Sequence, residues 1–216
     1  MKYLVAFFLG YLLGSFPSAY VLVKIFKRID IRRYGSGNVG ALNAYEVSGS
    51  LFIGFAVLLI DILKGFLAVE ISKILFNQSF LALISGLSAV LGHNFSIWIS
   101  FYGGRGLATS LGVFLNVNPL LIIVWCILWL IAYLKIRNIH AGNIWATIFT
   151  PIVILPALNF FNSFRKIEIN TKIFIAFIIS ISLLIFIKHL KPLSNLIKEW
   201  KISKNKFEKG YEQGVE

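Results

Sequence analysis

Acidic residues and cysteine are scarce in this chain of 216 residues. Asp and Glu total nine, and only Asp30 and Asp61 are aspartates. The single cysteine, Cys126, cannot form an intramolecular disulfide, so no disulfide framework holds the fold. Charged residues make up 14% of the chain, which is about half of their usual share in soluble domains. This composition excludes a soluble globular protein, a disordered chain and a coiled coil.

Apolar residues and positive charge are abundant instead. Hydrophobic residues make up 58% of the chain, and the mean hydropathy is +0.82. Lys and Arg number 21, which gives a formal net charge of +12. We therefore predict an all-α, polytopic membrane protein. In such a protein, excess positive charge indicates cytoplasmic loops and contact with an anionic lipid bilayer, so we expect no nucleic-acid partner.

Seven apolar runs predict seven transmembrane helices, because about 20 residues cross the ~30 Å hydrocarbon core. The runs cover approximately residues 3–23, 51–76, 80–101, 107–117, 120–134, 144–161 and 173–187. The first could be a signal peptide, but it stays apolar past Pro17 and further spans follow. The run at 107–117 is short, and the alternative there is a bent hairpin that never fully crosses.

Positive charge assigns the sides of the membrane. With seven spans, loop 24–50, turn 102–106, loop 135–143 and the C-terminal tail share one side, which carries most of the Lys and Arg residues. The positive-inside rule makes this side cytoplasmic and places the N-terminus outside. We predict a multi-pass plasma-membrane protein whose active site faces the cytoplasm. Its transmembrane domain covers 1–191, and a basic cytoplasmic tail, partly an amphipathic surface helix, covers 192–216.

The first polar interruption covers residues 32–43, just before the second span. Gly35, Gly37 and Gly40 allow backbone N–H groups to converge on an anion, and the following helix N-terminus adds a positive dipole. Neutral donors come from Ser36, Asn38 and Asn43. The segment predicts a phosphate-binding loop, and the alternative is a flexible loop that returns to the membrane.

The second interruption covers residues 92–109. Gly103, Gly104, Arg105 and Gly106 open the next helix, so exposed N–H groups and a guanidinium coincide at a helix N-terminus. The alternative is a tight turn with one arginine that reaches the membrane surface. Two anion-binding loops on one face favour a shared site.

Other ionisable residues give weaker signals. Asp61 and Lys64, at i,i+3 in the second span, are functional candidates or a buried structural pair. His93, His140 and His189 are scattered and lack a carboxylate cluster, so we predict no metal site and no cofactor. No His-x-x-x-x-Asp dyad, Gly-x-Ser-x-Gly elbow or Walker A motif occurs.

These motifs together resemble those of the bacterial acyl-phosphate-dependent glycerol-3-phosphate acyltransferases, the PlsY family. The likeness is carried by GSFPSAY at 14–20, GSGNVGALN at 35–43, DILKG at 61–65, and residues 92–95 with 103–109. It is strong over residues 1–115 and weak beyond them.

The resemblance implies a reaction and a set of site residues. An acyl phosphate would donate its acyl chain to glycerol 3-phosphate, giving lysophosphatidic acid and phosphate. The implied catalytic residues are Ser36, Asn38, His93 and Arg105. The implied substrate-binding residues are Gly37, Asn43, Lys64, Gly103, Gly104, Gly106, Thr109, His189 and Asn195.

The resemblance also assigns roles within that set. The donor phosphate would lie on residues 103–106, the acceptor phosphate on residues 36–43, and the acyl chain between spans. An acyl phosphate is already activated, so positioning and charge stabilisation suffice without a nucleophilic side chain. A phosphate of the substrate would then take the hydroxyl proton, while His93 orients a substrate or donates a hydrogen bond.

Several positions depart from the family pattern. Leu42 replaces a threonine and Glu46 replaces an arginine, while Tyr102 and Arg105 replace lysines. Residues 137–143 lack the usual serines, and His189 and Asn195 are further apart than in the family motif. Arg32 or Arg33 could compensate for Glu46. The alternatives are therefore a catalytically impaired or altered-acceptor paralogue that binds anionic lipid, or a small phosphometabolite transporter.

Overall fold

The computed structural model describes residues 1–213, with side chains for 1–198 and 200–202. The helices are α1 (Lys2–Ser15), α2 (Ser18–Lys27), α3 (Ala41–Ser48), α4 (Leu51–Phe76), α5 (Ser79–Asn94), α6 (Leu107–Val117), α7 (Leu120–Ile136), α8 (Ile139–Ile154), α9 (Leu158–Asn162) and α10 (Thr171–Gln213). Short 3₁₀ turns cover Ile31–Arg33, Ile97–Ile99 and Leu155–Ala157. All regular secondary structure in the described chain is thus helical, as predicted.

Five helical segments are long and apolar enough to cross a membrane: Lys2–Lys27, Leu51–Phe76, Ser79–Ile99, Ile139–Asn162 and Thr171–Ile202. Helices α6 and α7 are apolar but shorter. The prediction of a multi-pass, all-α membrane protein is confirmed, while the count of seven crossings stays a prediction. The predicted tail from residue 192 continues α10 as far as Gln213, and its last three residues lie outside the described chain.

The first span is interrupted, although the sequence predicted one run over residues 3–23. Helix α1 ends at Ser15, and α2 begins at Ser18 after Pro17, which has no N–H to continue the helix. The break leaves the carbonyl of Phe16 available to the bundle interior, where it accepts a hydrogen bond from Lys64 Nζ at 3.0 Å. The interruption therefore supplies a polar group in the middle of a span.

Helix α6 begins inside the bundle. Gly65 of α4 packs directly against the backbone of Thr109, and Gly112 packs against the carbonyl of Ile62. At a 1.5 Å rise per residue, Gly65 lies about 20 Å along α4 from Leu51. Near the end of α6, the Asn116 side chain donates to the carbonyl of Phe66 at 2.9 Å. The start of α6 is thus recessed, and the helix packs against the middle of α4.

The connections alternate between the two ends of the bundle. At the end remote from Arg105, Asn118 donates to the carbonyl of Phe161 at 2.8 Å, and the Lys166 N–H donates to the carbonyl of Val117 at 2.9 Å. At the other end, Arg105 contacts His140. Helices α6 and α8 thus run away from Arg105, and α7 and α10 return toward it.

Candidate active site

The first loop is tied to the second by Arg32. Asp30 caps the Ile31–Arg33 turn and pairs with the Arg32 guanidinium at 2.6 Å. The hydrogen bond from Arg32 lowers the pKa of Asp30 to about 2. The guanidinium also lies over the rings of Tyr20 and Tyr102 and donates to the carbonyl of Ile99 at 3.4 Å. Arg32 therefore fixes residues 30–34 against residues 99–102.

Asn43 holds the glycine-rich part of the first loop. Its side-chain oxygen accepts from the Ser36 N–H at 3.0 Å, and its nitrogen donates to the carbonyls of Asn38 at 2.9 Å and Tyr34 at 3.2 Å. The side chain is buried. This geometry favours a loop-holding role for Asn43 over the direct substrate contact that the resemblance implies. Ser36 stays exposed at the outer edge of the loop.

The second loop packs directly on the first. The Gly104 N–H donates to the carbonyl of His93 at 3.0 Å. A Cβ at Gly104 would collide with the His93 imidazole and the Val39 carbonyl, and one at Gly103 would collide with the carbonyls of His93 and Asn94. Only glycine permits this approach. The structure thus brings the two predicted anion-binding loops into contact.

A buried polar cluster in the bundle interior packs against the second loop. The Asp61 carboxylate accepts from Ser18 at 2.7 Å, pairs with Lys64 at 2.8 Å and lies 3.6 Å from His93 Nδ1. All four side chains are buried. This arrangement matches the buried-pair alternative for Asp61 and Lys64.

The space around this cluster is small. A cavity of about 10 Å³, lined by Lys64, His93, Gly103 and Gly104 among others, is no larger than the site of one water molecule. A substrate phosphate does not fit there. Substrate contact by Lys64 and direct catalysis by His93 therefore stay predictions, and the described contacts give both residues a role in supporting the loop.

Arg105 lies at the mouth of the site among other charged groups. Its Nη1 lies 3.1 Å from His140 Nδ1. Burial lowers the pKa of Arg105, and the negative charge of Glu46 acts in the opposite direction; a guanidinium in a protein stays protonated. Lys188 and His189 of α10 also lie within electrostatic range of Arg105. This end of the bundle is therefore strongly cationic around one exposed carboxylate.

Two predicted substrate-binding residues carry buried polar atoms with no partner among the described residues. His189 is 1% exposed, and its Nδ1 lies 2.8 Å from the carbonyl of Ile185. A carbonyl only accepts, so Nδ1 donates to it, and Nε2 has no partner among the described residues. The Thr109 hydroxyl is likewise unpartnered. Asn195 lies on an exposed face of α10, and no described contact brings it to this group.

Sequence reasoning did not assign His140 to the site. His140 lies 35 residues from Arg105 along the chain, and helices α6 and α7 bring the two together. The only local signal is Asn138, whose side chain caps the N-terminus of α8 and so indicates that a helix starts there. Among the described side chains, those of residues 1–198 and 200–202, no group of three or more His, Cys, Asp or Glu is placed to hold a metal ion.

An apolar cavity of about 180 Å³ begins beside the second loop. It lies between α4, α6, α7, α8 and α10, and its lining includes Leu107, Ala108, Leu111, Phe114, Trp125 and Ile178. The α6 residues that line it span about 10 Å from the first turn of that helix. The cavity therefore places an apolar channel next to the cationic mouth.

Comparison with known proteins identifies the class. The sequence profile of the family described as glycerol-3-phosphate acyltransferase matches residues 4–199. This match covers most of the chain. The chain therefore belongs to the glycerol-3-phosphate acyltransferase family, a family of membrane acyltransferases, and the resemblance inferred from the motifs is confirmed.

Individual relatives agree with this assignment. The glycerol-3-phosphate acyltransferase of Wolbachia sp. subsp. Brugia malayi is 37% identical over 91% of this chain and 95% of its own. Glycerol-3-phosphate acyltransferase 2 of Lactobacillus johnsonii is 49% identical, over 55% of each chain. The crystal structure of PlsY (YgiH), an integral membrane glycerol 3-phosphate acyltransferase in its glycerol 3-phosphate form, superposes with a TM-score of 0.76 at 32% identity. That match covers 92% of this chain and 94% of the other.

Proposed function

We propose that this protein transfers an acyl chain from an acyl phosphate to glycerol 3-phosphate, forming lysophosphatidic acid and inorganic phosphate. The observation that carries the proposal is the direct contact between the two anion-binding loops at Val39 and Gly104, beside Arg105. Two phosphorylated substrates have to meet in this reaction, and two adjoining loops can hold one phosphate each. Family membership and the crystal structures of PlsY (YgiH) in a glycerol 3-phosphate form and a lysophosphatidic acid form support it.

The reaction needs little covalent help from the protein. The acceptor hydroxyl attacks the acyl carbon, a new C–O bond forms, and the bond from the acyl carbon to the phosphate oxygen breaks. Phosphate leaves with the bonding electrons, and a phosphate oxygen takes the hydroxyl proton. Arg105 and the N–H groups at the start of α6 bind the donor phosphate and stabilise its growing charge. Ser36, Gly37 and Asn38 hold the acceptor phosphate.

The apolar cavity holds the acyl chain in this proposal. It begins at Leu107 and Ala108, immediately after the residues that bind the donor phosphate. An acyl phosphate bound at Arg105 can therefore extend its chain between α6, α7 and α10.

The cationic end of the bundle faces the cytoplasm in this proposal, with seven crossings, the N-terminus outside and the chain in the plasma membrane. The supporting observation is that four connecting regions meet at that end: Arg32 contacts Ile99, Arg105 contacts His140, and His189 lies within electrostatic range of both. These are the regions that the positive-inside rule assigns to the cytoplasm. Residues 192–216 would lie along anionic lipid.

A second candidate is a relative with another acceptor or with impaired turnover, and Glu46 is the observation that favours it. This carboxylate stands where the family pattern has an arginine, and its charge acts on Arg105 and His140. Replacing Glu46 with arginine separates the candidates. An enzyme adapted to glycerol 3-phosphate tolerates Glu46→Arg, whereas an impaired paralogue gains acceptor binding. A phosphometabolite transporter has no reason to respond, and the grouping of polar residues at one end disfavours it.

Phosphate release by the purified protein tests the proposal. Palmitoyl phosphate is supplied in lipid cubic phase, with and without glycerol 3-phosphate. We expect release that depends on the acceptor and is lost in Arg105→Ala and Asn38→Ala. The exposed Lys27→Ala, on the same end of the bundle, serves as the matched control. Release without acceptor dependence would indicate a different acceptor, and no release from folded protein would refute the enzyme.

A further inference from the structure

The contact between Arg105 and His140 depends on the protonation state of the imidazole. Arginine has N–H donors and no acceptor, so the 3.1 Å contact requires a lone pair on His140 Nδ1. A hydrogen bond here therefore forms only with the neutral ring that carries its proton on Nε2. Protonation of Nδ1 would remove the acceptor and place two cations side by side.

The position of the imidazole is fixed by its helix. His140 is the second residue of α8, and the Asn138 side chain accepts from the N–H groups of His140 at 2.8 Å and Ala141 at 3.1 Å. Two residues further on, Gly142 packs against the Trp129 indole of α7. The first turn of α8 is therefore held by contacts on two sides. The His140 ring thus has a fixed position from which it contacts the Arg105 guanidinium.

The charged surroundings make this contact sensitive to protonation. Arg105 from the second loop and Glu46 from α3 act on His140, and His189 from α10 lies within electrostatic range of it. Lys188 of α10 lies within range of Arg105. At the end of α7, Lys135 and Arg137 are exposed to solvent. Among these groups Glu46 alone is negative, so added charge on His140 is opposed mainly by cations.

We propose that His140 is a positioning residue for Arg105: the neutral imidazole accepts the guanidinium N–H and holds it over the loop that binds the donor phosphate. Protonation of His140 releases Arg105 and weakens donor binding as the pH falls. This inference rests on the proposed acyl-phosphate donor.

Kinetics of two variants test the positioning role. His140→Phe keeps a ring without an acceptor, and we expect the KM for palmitoyl phosphate to rise about tenfold, the size expected when a hydrogen bond to a charged group is lost. His140→Asn places an amide oxygen near the position of Nδ1, so the KM for palmitoyl phosphate should return close to the wild-type value. Because the amide does not titrate, the rise in KM at acidic pH should also become smaller. In an Arg105→Lys background, His140→Phe should raise the KM for palmitoyl phosphate by a much smaller factor than it does in the wild type. Ile139→Asn, at the exposed neighbouring position, is the matched control.

Equal KM values for His140→Phe and the wild type, or an acidic limb unchanged in His140→Asn, would overturn the inference. Nitrogen NMR of labelled histidine supplies a readout that needs no activity. The signal that disappears in His140→Asn belongs to His140, and we expect an unprotonated Nδ1 whose resonance moves in Arg105→Gln. A protonated Nδ1 would overturn the inference even in an active enzyme. If Nδ1 is unprotonated but the protein does not catalyse acyl transfer, the proposed function is wrong, while the contact between His140 and Arg105 stands.

Discussion

A lysine ammonium in the middle of a membrane helix is costly unless it is paired. Lys64 meets this cost with two partners, the Asp61 carboxylate and the Phe16 carbonyl, and the second exists only because the first span breaks at Pro17. Its neighbour on the same helix, the Glu70–Lys73 pair, has the same i,i+3 spacing but is about one third exposed. Because the i,i+3 spacing is the same in both pairs, comparing them isolates the effect of burial on stability.

Removal of the buried charge should destabilise the fold strongly. Lys64→Met leaves Asp61 buried without its main partner, and we expect a loss of about 3–5 kcal/mol, the size found when one member of a buried pair is removed. Lys73→Met, the matched control, should lose less than about 1 kcal/mol. Thermal unfolding in detergent measures both. Equal losses would show that Lys64 is not stabilised by its buried pairing, and the double variant Asp61→Asn with Lys64→Met should recover much of the loss.

Asp30 gives a prediction of pH dependence. Its pKa is lowered from an ordinary value near 3.8 to about 2 by the hydrogen bond from Arg32. The stability it adds is thus fully present above about pH 4 and is lost as the pH falls toward 2. Asp30→Asn should remove this part of the acid dependence. Unfolding midpoints at pH 5 and pH 3 measure it, and a wild-type difference no larger than that of Asp30→Asn would contradict the assignment.

At the scale of elements, hydropathy located the long helices well, because an apolar run of span length is a local property of the sequence. Helices α4 and α6 match their predicted bounds. Hydropathy could not predict the break at Pro17 or the recessed start of α6, because both depend on residues that are distant in sequence. The Phe16 carbonyl bonds to Lys64, and Thr109 packs against Gly65. For the same reason, the sequence identified both glycine-rich loops but not the contact between Arg105 and His140.

Helix α6 also gives a prediction about substrate length. Leu111 lies in the apolar cavity, one turn beyond the residues at its mouth. Leu111→Trp should block the cavity beyond its mouth and shift the preference toward shorter acyl phosphates. Rates with donors of graded chain length measure the shift. Leu130→Trp, on the exposed face of α7, is the control; the same profile in both variants would show that the cavity does not hold the chain.

At the scale of the whole molecule, the lone cysteine makes the topology easy to test. Cys126→Ser gives a cysteine-free background. Into it, single cysteines are placed at exposed positions on the two ends of the bundle: Arg33, Lys135 and Lys191 at the cationic end, and Gln78 and Ser163 at the other.

A membrane-impermeant thiol reagent applied to intact cells should label Gln78→Cys and Ser163→Cys, and should label the other three only after the membrane is opened. This pattern follows from seven crossings with the cationic end in the cytoplasm. Labelling of Lys135→Cys from outside while Arg33→Cys stays protected would mean that the α6–α7 region does not cross the membrane twice.

The apolar cavity beside the recessed start of α6 affects the free energy needed to move a lipid tail. The apolar cavity begins at Leu107 and Ala108 and lies among helices that include segments long and apolar enough to cross a membrane. Lifting a chain of about fifteen methylenes into water costs on the order of 10 kcal/mol at ~0.8 kcal/mol per CH₂. In the proposed reaction, this cavity lets a long-chain donor and its product keep their tails among apolar side chains throughout, so only the small, water-soluble substrate has to move through water.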